Sequence, residues 1–296
     1  MADFLQIIVA AAAAGSIYGL VALAYLLILR PTGIINFAVG EWATVGAFTG
    51  VVLLTAQEPI GFSLPYAVAL PLLVGFMALF GWTTERLAVR PLVERGAPVL
   101  SPVLALLGLL IVYREGVSLL FGPGNFFSPY PFGFRGFSIG PFAGTPQSFT
   151  IIFATLGVFA GVWIFFERTV WGKAFEATAL NRRAAALMGI NLSRVTAMSF
   201  AAGAAAAGFA GLLISPNTSA HYLMGLPLAI KGFSALVIGG VGRVEGALLG
   251  GFVLALAERL TVRYAPIASS FAEAVPLILL IAFLVFRPTG LLKPRE

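Results

Sequence analysis

Long apolar runs alternate along this chain with short clusters of charge, proline and glycine. Nine runs stand out, at 4–29, 34–56, 62–84, 98–121, 148–166, 195–214, 227–242, 246–262 and 271–286. An apolar helix needs about 20 residues to cross a bilayer. Hydrocarbon offers no water to a free N–H or C=O, so each run must be helical or covered by protein at that depth. The pattern predicts an all-α fold, a polytopic membrane helical bundle of about 8 to 10 spans, with residues 1–296 forming one transmembrane domain.

Two runs are interrupted and read as broken or half helices. Gly33, Asn36, Gly40 and Glu41 cut into the second, while Pro227, Lys231, Gly232 and Gly239-Gly240-Val241-Gly242 leave the seventh as a short helix between flexible ends. Helices broken at membrane depth often line solute sites.

Basic residues give the expected orientation. One set of loops and run ends carries Arg30, Arg86, Arg90, Arg95, Arg168, Lys173, Arg182, Arg183, Arg194, Arg243, Arg287, Lys293 and Arg295, 13 of the 18 Lys and Arg. The opposite loops carry Arg135 and Arg263, and Arg114, Lys231 and Arg259 fall within runs or at their ends. An excess of Lys and Arg marks the cytoplasmic side, which puts the N-terminus outside and the C-terminus in the cytoplasm. Arg30-Pro31-Thr32-Gly33 recurs as Arg287-Pro288-Thr289-Gly290, each after an apolar run, as a shared device for ending a helix.

Composition narrows the class. Hydrophobic residues make up 59% and charged ones 10% of the chain, against about 25% charged in soluble domains, so an ordinary soluble core is excluded. No cysteine is present, which removes disulfide frameworks, thiol catalysis and cysteine-ligated metals. The net charge of +6 follows from membrane orientation, and no nucleic-acid partner is expected. Residues 1–29 contain Asp3, lack Lys and Arg, and stay apolar too long for a signal peptide, so they read as a retained first span.

Few residues suggest covalent chemistry. His221 is the single histidine and has no carboxylate company, so a surface role is expected and no metal site. Ser16 and Ser234 have no base at a spacing that would activate them. No catalytic residue and no cofactor is therefore assigned to this chain. Charges inside runs are costly and face partners or wet cavities. Glu41, Arg114, Glu115, Lys231 and Glu258 are of this kind. Glu41 and Lys231 are expected to line a central pathway or to pair across it. Arg114 and Glu115, adjacent and so not facing each other on a helix, each call for a separate partner or for water at a span end. The aromatic, Pro- and Gly-rich stretch 122–147 has the composition of an interfacial loop, suited to lipid or to a docking protein.

The connection at about 167–194 contains Gly172-Lys173-Ala174-Phe175-Glu176-Ala177, then Asn181-Arg182-Arg183-Ala184-Ala185-Ala186-Leu187-Met188-Gly189-Ile190. Asn181 suits a helix N-cap, the alanines favour helix, and Gly189 suits the left-handed C-terminal position. A short rigid helix outside the membrane follows.

These residues resemble the coupling loop of ABC importer permeases, in particular the branched-chain amino-acid permeases of the LivH type. Further stretches are similar to that family: Gly15-Ser16-Ile17-Tyr18-Gly19-Leu20, Asn36-Phe37-Ala38 with Gly40-Glu41, Glu85-Arg86, Arg90-Pro91-Leu92, and 231–242 followed by Gly246-Ala247 and Glu258. The resemblance implies an ATP-driven importer of amino acids, branched-chain or otherwise apolar, in the bacterial cytoplasmic (inner) membrane. Implied partners are ATP-binding cassette subunits that bind ATP and Mg, a second permease subunit, identical or paralogous, and an extracytoplasmic solute-binding protein. No Gly-x-x-x-x-Gly-Lys-Ser/Thr loop occurs, so ATP hydrolysis falls to a separate chain. By resemblance the ATPase contact includes Gly172, Lys173, Glu176, Ala177, Asn181, Arg182, Arg183, Ala185, Gly189 and Ile190. A pathway or gate includes Asn36, Gly40, Glu41, Lys231, Ser234 and Glu258. Arg114 and Glu115 depart from the family pattern and are candidates for tuning the substrate. Urea or short amides are the alternative solutes. An ion-coupled secondary transporter or channel is the alternative mechanism, and an intramembrane enzyme a third class.

Overall fold

A computed structural model describes residues 2–56, 61–133, 136–139, 142–264, 274–287 and 289–292. The apolar runs become helices α1 (Ala2–Thr32), α2 (Val39–Leu54), α3 (Tyr66–Thr84), α5 (Leu100–Phe121), α6 (Pro146–Arg168), α9 (Leu192–Thr218), α10 (Gly225–Gly239), α11 (Val244–Tyr264) and α12 (Val275–Phe286). Between them lie α4 (Arg90–Glu94), α7 (Val170–Leu180) and α8 (Arg182–Leu187). A π-helical turn, Glu85–Val89, joins α3 to α4. The exception to helix among the described residues is a small hairpin, β1 (Phe137–Ile139) antiparallel to β2 (Phe142–Gly144), with Ser138 opposite Ala143.

Among the described residues, five helices are long and apolar enough to cross a membrane, and a sixth span is possible if α10 and α11 count as one. This falls below the span count expected from sequence, because α2 and α12 have 16 and 12 residues. At 1.5 Å per residue neither reaches the ~30 Å of a hydrocarbon core. The two interrupted runs are indeed broken. The second begins its helix only at Val39, after an irregular stretch in which the Asn36 Oδ1 accepts from Ala38 N at 2.9 Å. The seventh and eighth meet at a 116° bend, where Gly240 adopts φ +101°. Only glycine takes that conformation without strain.

α1 and α9 form the centre. α1 packs on α11, α9 and α10, while α2 and α3 pack on α9. Trp42 of α2 meets Phe200 of α9 edge-on at 6.0 Å, and both are fully buried. Small residues allow such close approach, as is usual where lipid removes the hydrophobic drive between helices. A Cβ on Gly46 would overlap the backbone of Gly208, and one on Gly15 would lie 2.7 Å from Phe252 Cα. α5, by contrast, turns its apolar side outward, with Leu119 87% and Leu120 80% exposed. That face suits acyl chains.

The ends of the bundle differ. At one end the α1 terminus, α7, α8 and the α10–α11 bend converge, and the C-terminal segment adds hydrogen bonds from Leu291 N to Ile238 O and Leu292 N to Gly239 O. Gly33 and Gly290, the glycines of the repeated tetrapeptide, both have left-handed backbones (φ +69° and +71°). The repeat is not used identically, because α1 continues through Pro31 to Thr32 whereas α12 stops at Phe286. Pro288, like Arg135, Lys293 and Arg295, lies outside the described residues. At the other end, Phe126 and Ala220 form a backbone bridge and Ser215 donates to Ser128 at 2.8 Å. These bonds tie the aromatic stretch to the end of α9.

Candidate translocation cleft and coupling segment

Three helices contribute one polar triangle. Lys231 Nζ of α10 donates to Glu258 Oε1 of α11 at 2.6 Å and to the Tyr18 hydroxyl of α1 at 3.1 Å. The Tyr18 hydroxyl in turn donates to Glu258 Oε2 at 2.7 Å. The ammonium also lies 5.1 Å from the Tyr18 ring centroid, within cation–π range. The Lys231 and Glu258 side chains retain 20% and 13% exposure. They face a cleft of about 450 Å³ whose other walls include Ile214, Thr218, His221, Met224, Leu228, Arg259 and Val262. Its volume is within the usual range for small-molecule sites.

The remaining pathway candidates lie elsewhere. Glu41 does not pair with Lys231, which is engaged by Glu258, so of the two expectations, lining a pathway or pairing across it, the ion pair between the broken segments is not made. Glu41 is 1% exposed, and neither carboxylate oxygen has a hydrogen-bond partner among the described residues. It packs on Gly225, where a Cβ would fall 2.6 Å from its carboxyl carbon. That is the N-terminal end of α10, whose helix dipole favours negative charge. Gly40 is required by packing, since its Cβ would overlap the Gly225 carbonyl. Asn36 shapes the turn before α2. Ser234 is wholly buried and is not among the residues lining the cleft.

Arg114 and Glu115 sit side by side on α5, and the Glu115 side chain is 60% exposed. Arg114 Nε lies 3.9 Å from Glu115 Oε1, too far for a hydrogen bond, and it has no hydrogen-bond partner among the described residues. His221, expected at the surface, is half-buried on the wall of the cleft, and Tyr18, not among the expected pathway residues, joins the polar triangle. The signal for Tyr18 was present as a phenol within an apolar run.

At the C-terminal end of α1 lies the segment with the importer-like motif. It forms two helices instead of one. Thr169 turns the corner from α6, its hydroxyl accepting from Gly172 N at 2.9 Å. Asn181 caps α8 by accepting from Ala184 N at 3.0 Å. α8 closes with paired bonds from Gly189 N to Ala186 O and Ile190 N to Ala185 O, and Gly189 is left-handed at φ +85°, completing a Schellman end. Asn191, an unforeseen cap, accepts from Arg194 N and starts α9.

Which side chains face outward differs from expectation. Gly172 and Ala185 are buried, and a Cβ on Gly172 would strike the Phe165 carbonyl, so neither presents a docking surface. Glu176 and Ala177 are half-buried. Glu176 pairs with Lys173 at 3.3 Å and lines a cavity of about 200 Å³ shared with Arg30, Glu167 and Arg243. Lys173, Asn181, Arg183 and Gly189 are exposed, and Ile190 is half-buried. Arg182 reaches inward, donating to Pro31 O at 3.2 Å, Thr32 O at 3.3 Å and Thr196 Oγ1 at 3.4 Å. Burial draws its guanidinium below the ordinary arginine range. Apolar side chains that protrude from this segment include Leu187 and Met188 of the α8 end, 89% and 84% exposed, and Val170 of α7, 86% exposed.

The sequence pattern of the family described as "Branched-chain amino acid transport system / permease component" matches residues 7–284. The chain belongs to this family. The branched-chain permease LivH of Escherichia coli K12 is 30% identical over 302 residues, 99% of this chain and 96% of that protein. BraD, a high-affinity branched-chain amino acid transport system permease of Pseudomonas aeruginosa, is 32% identical over 314 residues, covering 99% and 97%. A probable LivH of Methanocaldococcus jannaschii is 31% identical over 286 residues, covering 92% and 87%. With its apolar helices, this member of the branched-chain permease family is a multi-pass permease of the inner membrane.

Proposed function

We propose that this chain is the membrane-spanning subunit of an ATP-driven importer of amino acids, branched-chain or otherwise apolar. A separate ATP-binding cassette subunit binds ATP and Mg and docks on α7–α8. A second permease subunit and an extracytoplasmic solute-binding protein complete the assembly. The whole chain acts as one permease domain, with the N-terminus outside and α8 and the C-terminus in the cytoplasm.

The observation that carries this reading is the continuity of α1. Its Pro31 and Thr32 carbonyls are held by Arg182 of α8, and its Tyr18 belongs to the polar triangle in the cleft. Tyr18, midway along α1, and Pro31 near its end are 13 positions apart, about 20 Å along a rigid rod. Movement of α8 by an ATPase would be passed to the cleft through a packed helix. Leu187 and Met188 supply apolar anchors for a partner groove, in the manner of a helix-in-groove contact.

The test is to replace Leu187 and Met188 together by Glu and copurify the permease with its ATPase. Loss of the ATPase, with the permease still folded, is the expected result. Wild-type chain that takes up solute on an ion gradient, with no ATPase present, would refute the proposal in favour of a secondary transporter.

A further inference from the structure

We propose that Lys231 and Glu258 form an ion-pair exchange site that admits a zwitterion, so that the cleft itself selects α-amino acids over amides, amines and carboxylates. This rests on the importer reading above and names the chemistry of its solute site.

A closed ion pair inside a helix bundle can be a brace alone. Two features argue for more. The pair lies on the wall of a 450 Å³ cleft, where a brace gains nothing from access. Tyr18 also touches both charges, accepting from Lys231 and donating to Glu258. A hydroxyl both donates and accepts, so Tyr18 can keep a bond to either ion while the two separate.

Opening a desolvated pair ordinarily leaves two uncompensated charges, which is strongly unfavourable. A zwitterion removes that obstacle. Its carboxylate takes the Lys231 ammonium, and its own ammonium takes the released Glu258 carboxylate. The number of paired charges rises, and no buried ion is left alone. A carboxylate without an ammonium would strand Glu258, an amine would strand Lys231, and a neutral amide would satisfy neither. The solute side chain then meets Ile214, Met224, Leu228 and Val262 on the cleft walls, which favours an apolar group. The pair reseals once the solute has left, so the site is also self-closing.

The experiment uses the assembled permease–ATPase complex in nanodiscs and leucine as the probe, with 4-methylpentanoate and 3-methylbutylamine as mono-ionic competitors. Leucine should bind, and each competitor should be weaker by about tenfold or more, the loss expected for one unpaired charge-assisted bond. Lys231→Met combined with Glu258→Met removes both charges and keeps the packing. It should retain assembly and thermal stability and lower leucine binding and uptake per ATP by about tenfold. Competitors equal to leucine, or a double variant that imports leucine at the wild-type rate, would overturn the exchange. If the double variant fails to assemble, the reversed pair Lys231→Glu with Glu258→Lys decides. It keeps the brace but inverts the polarity of the site, so unimpaired leucine uptake overturns the proposal and weakened uptake supports it. A wild-type complex that imports leucine only with ATP leaves the importer reading intact whichever way these variants behave.

Discussion

Replacing Gly15 by Ala tests how the central helices are held. An ideal Cβ at Gly15 would lie 2.7 Å from Phe252 Cα, 2.8 Å from Gly251 O and 2.9 Å from Phe252 N. All three atoms are backbone of α11, so no rotamer change can make room. A carbon contact is comfortable at about 3.5 Å or beyond, so α1 and α11 would have to separate locally by roughly 0.8 Å. Overpacking of this kind costs about 1–3 kcal/mol, and backbone against backbone belongs near the upper end. Ala gains about 1 kcal/mol over Gly in helix propensity, leaving a net loss of about 2 kcal/mol. Gly75, on α3, is the control, because nothing lies within 4 Å of its Cβ position. Gly75→Ala keeps the propensity gain of about 1 kcal/mol. The same chemical change at two positions should therefore differ by about 3 kcal/mol. Thermal unfolding of the purified chain in detergent, followed by near-UV circular dichroism, measures the difference. Equal midpoints, or Gly15→Ala the more stable variant, would refute the reasoning.

Two further outcomes are expected. Arg182→Ala removes bonds to two α1 carbonyls and to Thr196, weakening the docking of α8 by about 2 kcal/mol. Limited proteolysis should then cut near 181–191 faster, and ATP hydrolysis in the complex should proceed with less uptake. Thr84→Val removes the 2.7 Å bond to the Tyr113 hydroxyl at a cost of about 1 kcal/mol. A thermal midpoint unchanged by Thr84→Val would place that hydroxyl pair outside the energetics of the fold.

Much of this protein follows from its sequence alone. A backbone in hydrocarbon must bond to itself, so the apolar runs had to be helices, and the breaks at Gly33 and Gly240 were readable because glycine clustered there with other polar or helix-weakening residues, whereas single prolines such as Pro31 and Pro71 stay inside helices. Asn181 and Gly189 announced the ends of α8, since a cap requires only residues that are neighbours in sequence. The tertiary structure alone decided which charges meet. Lys231 and Glu258 are 27 residues apart and Tyr18 is 213 residues from Lys231, distances at which no local pattern selects a partner. It likewise turned Gly172 and Ala185 inward and Leu187 and Met188 outward. A motif specifies which residues occur in a helix. Which side of that helix faces a partner depends on the neighbours it packs against.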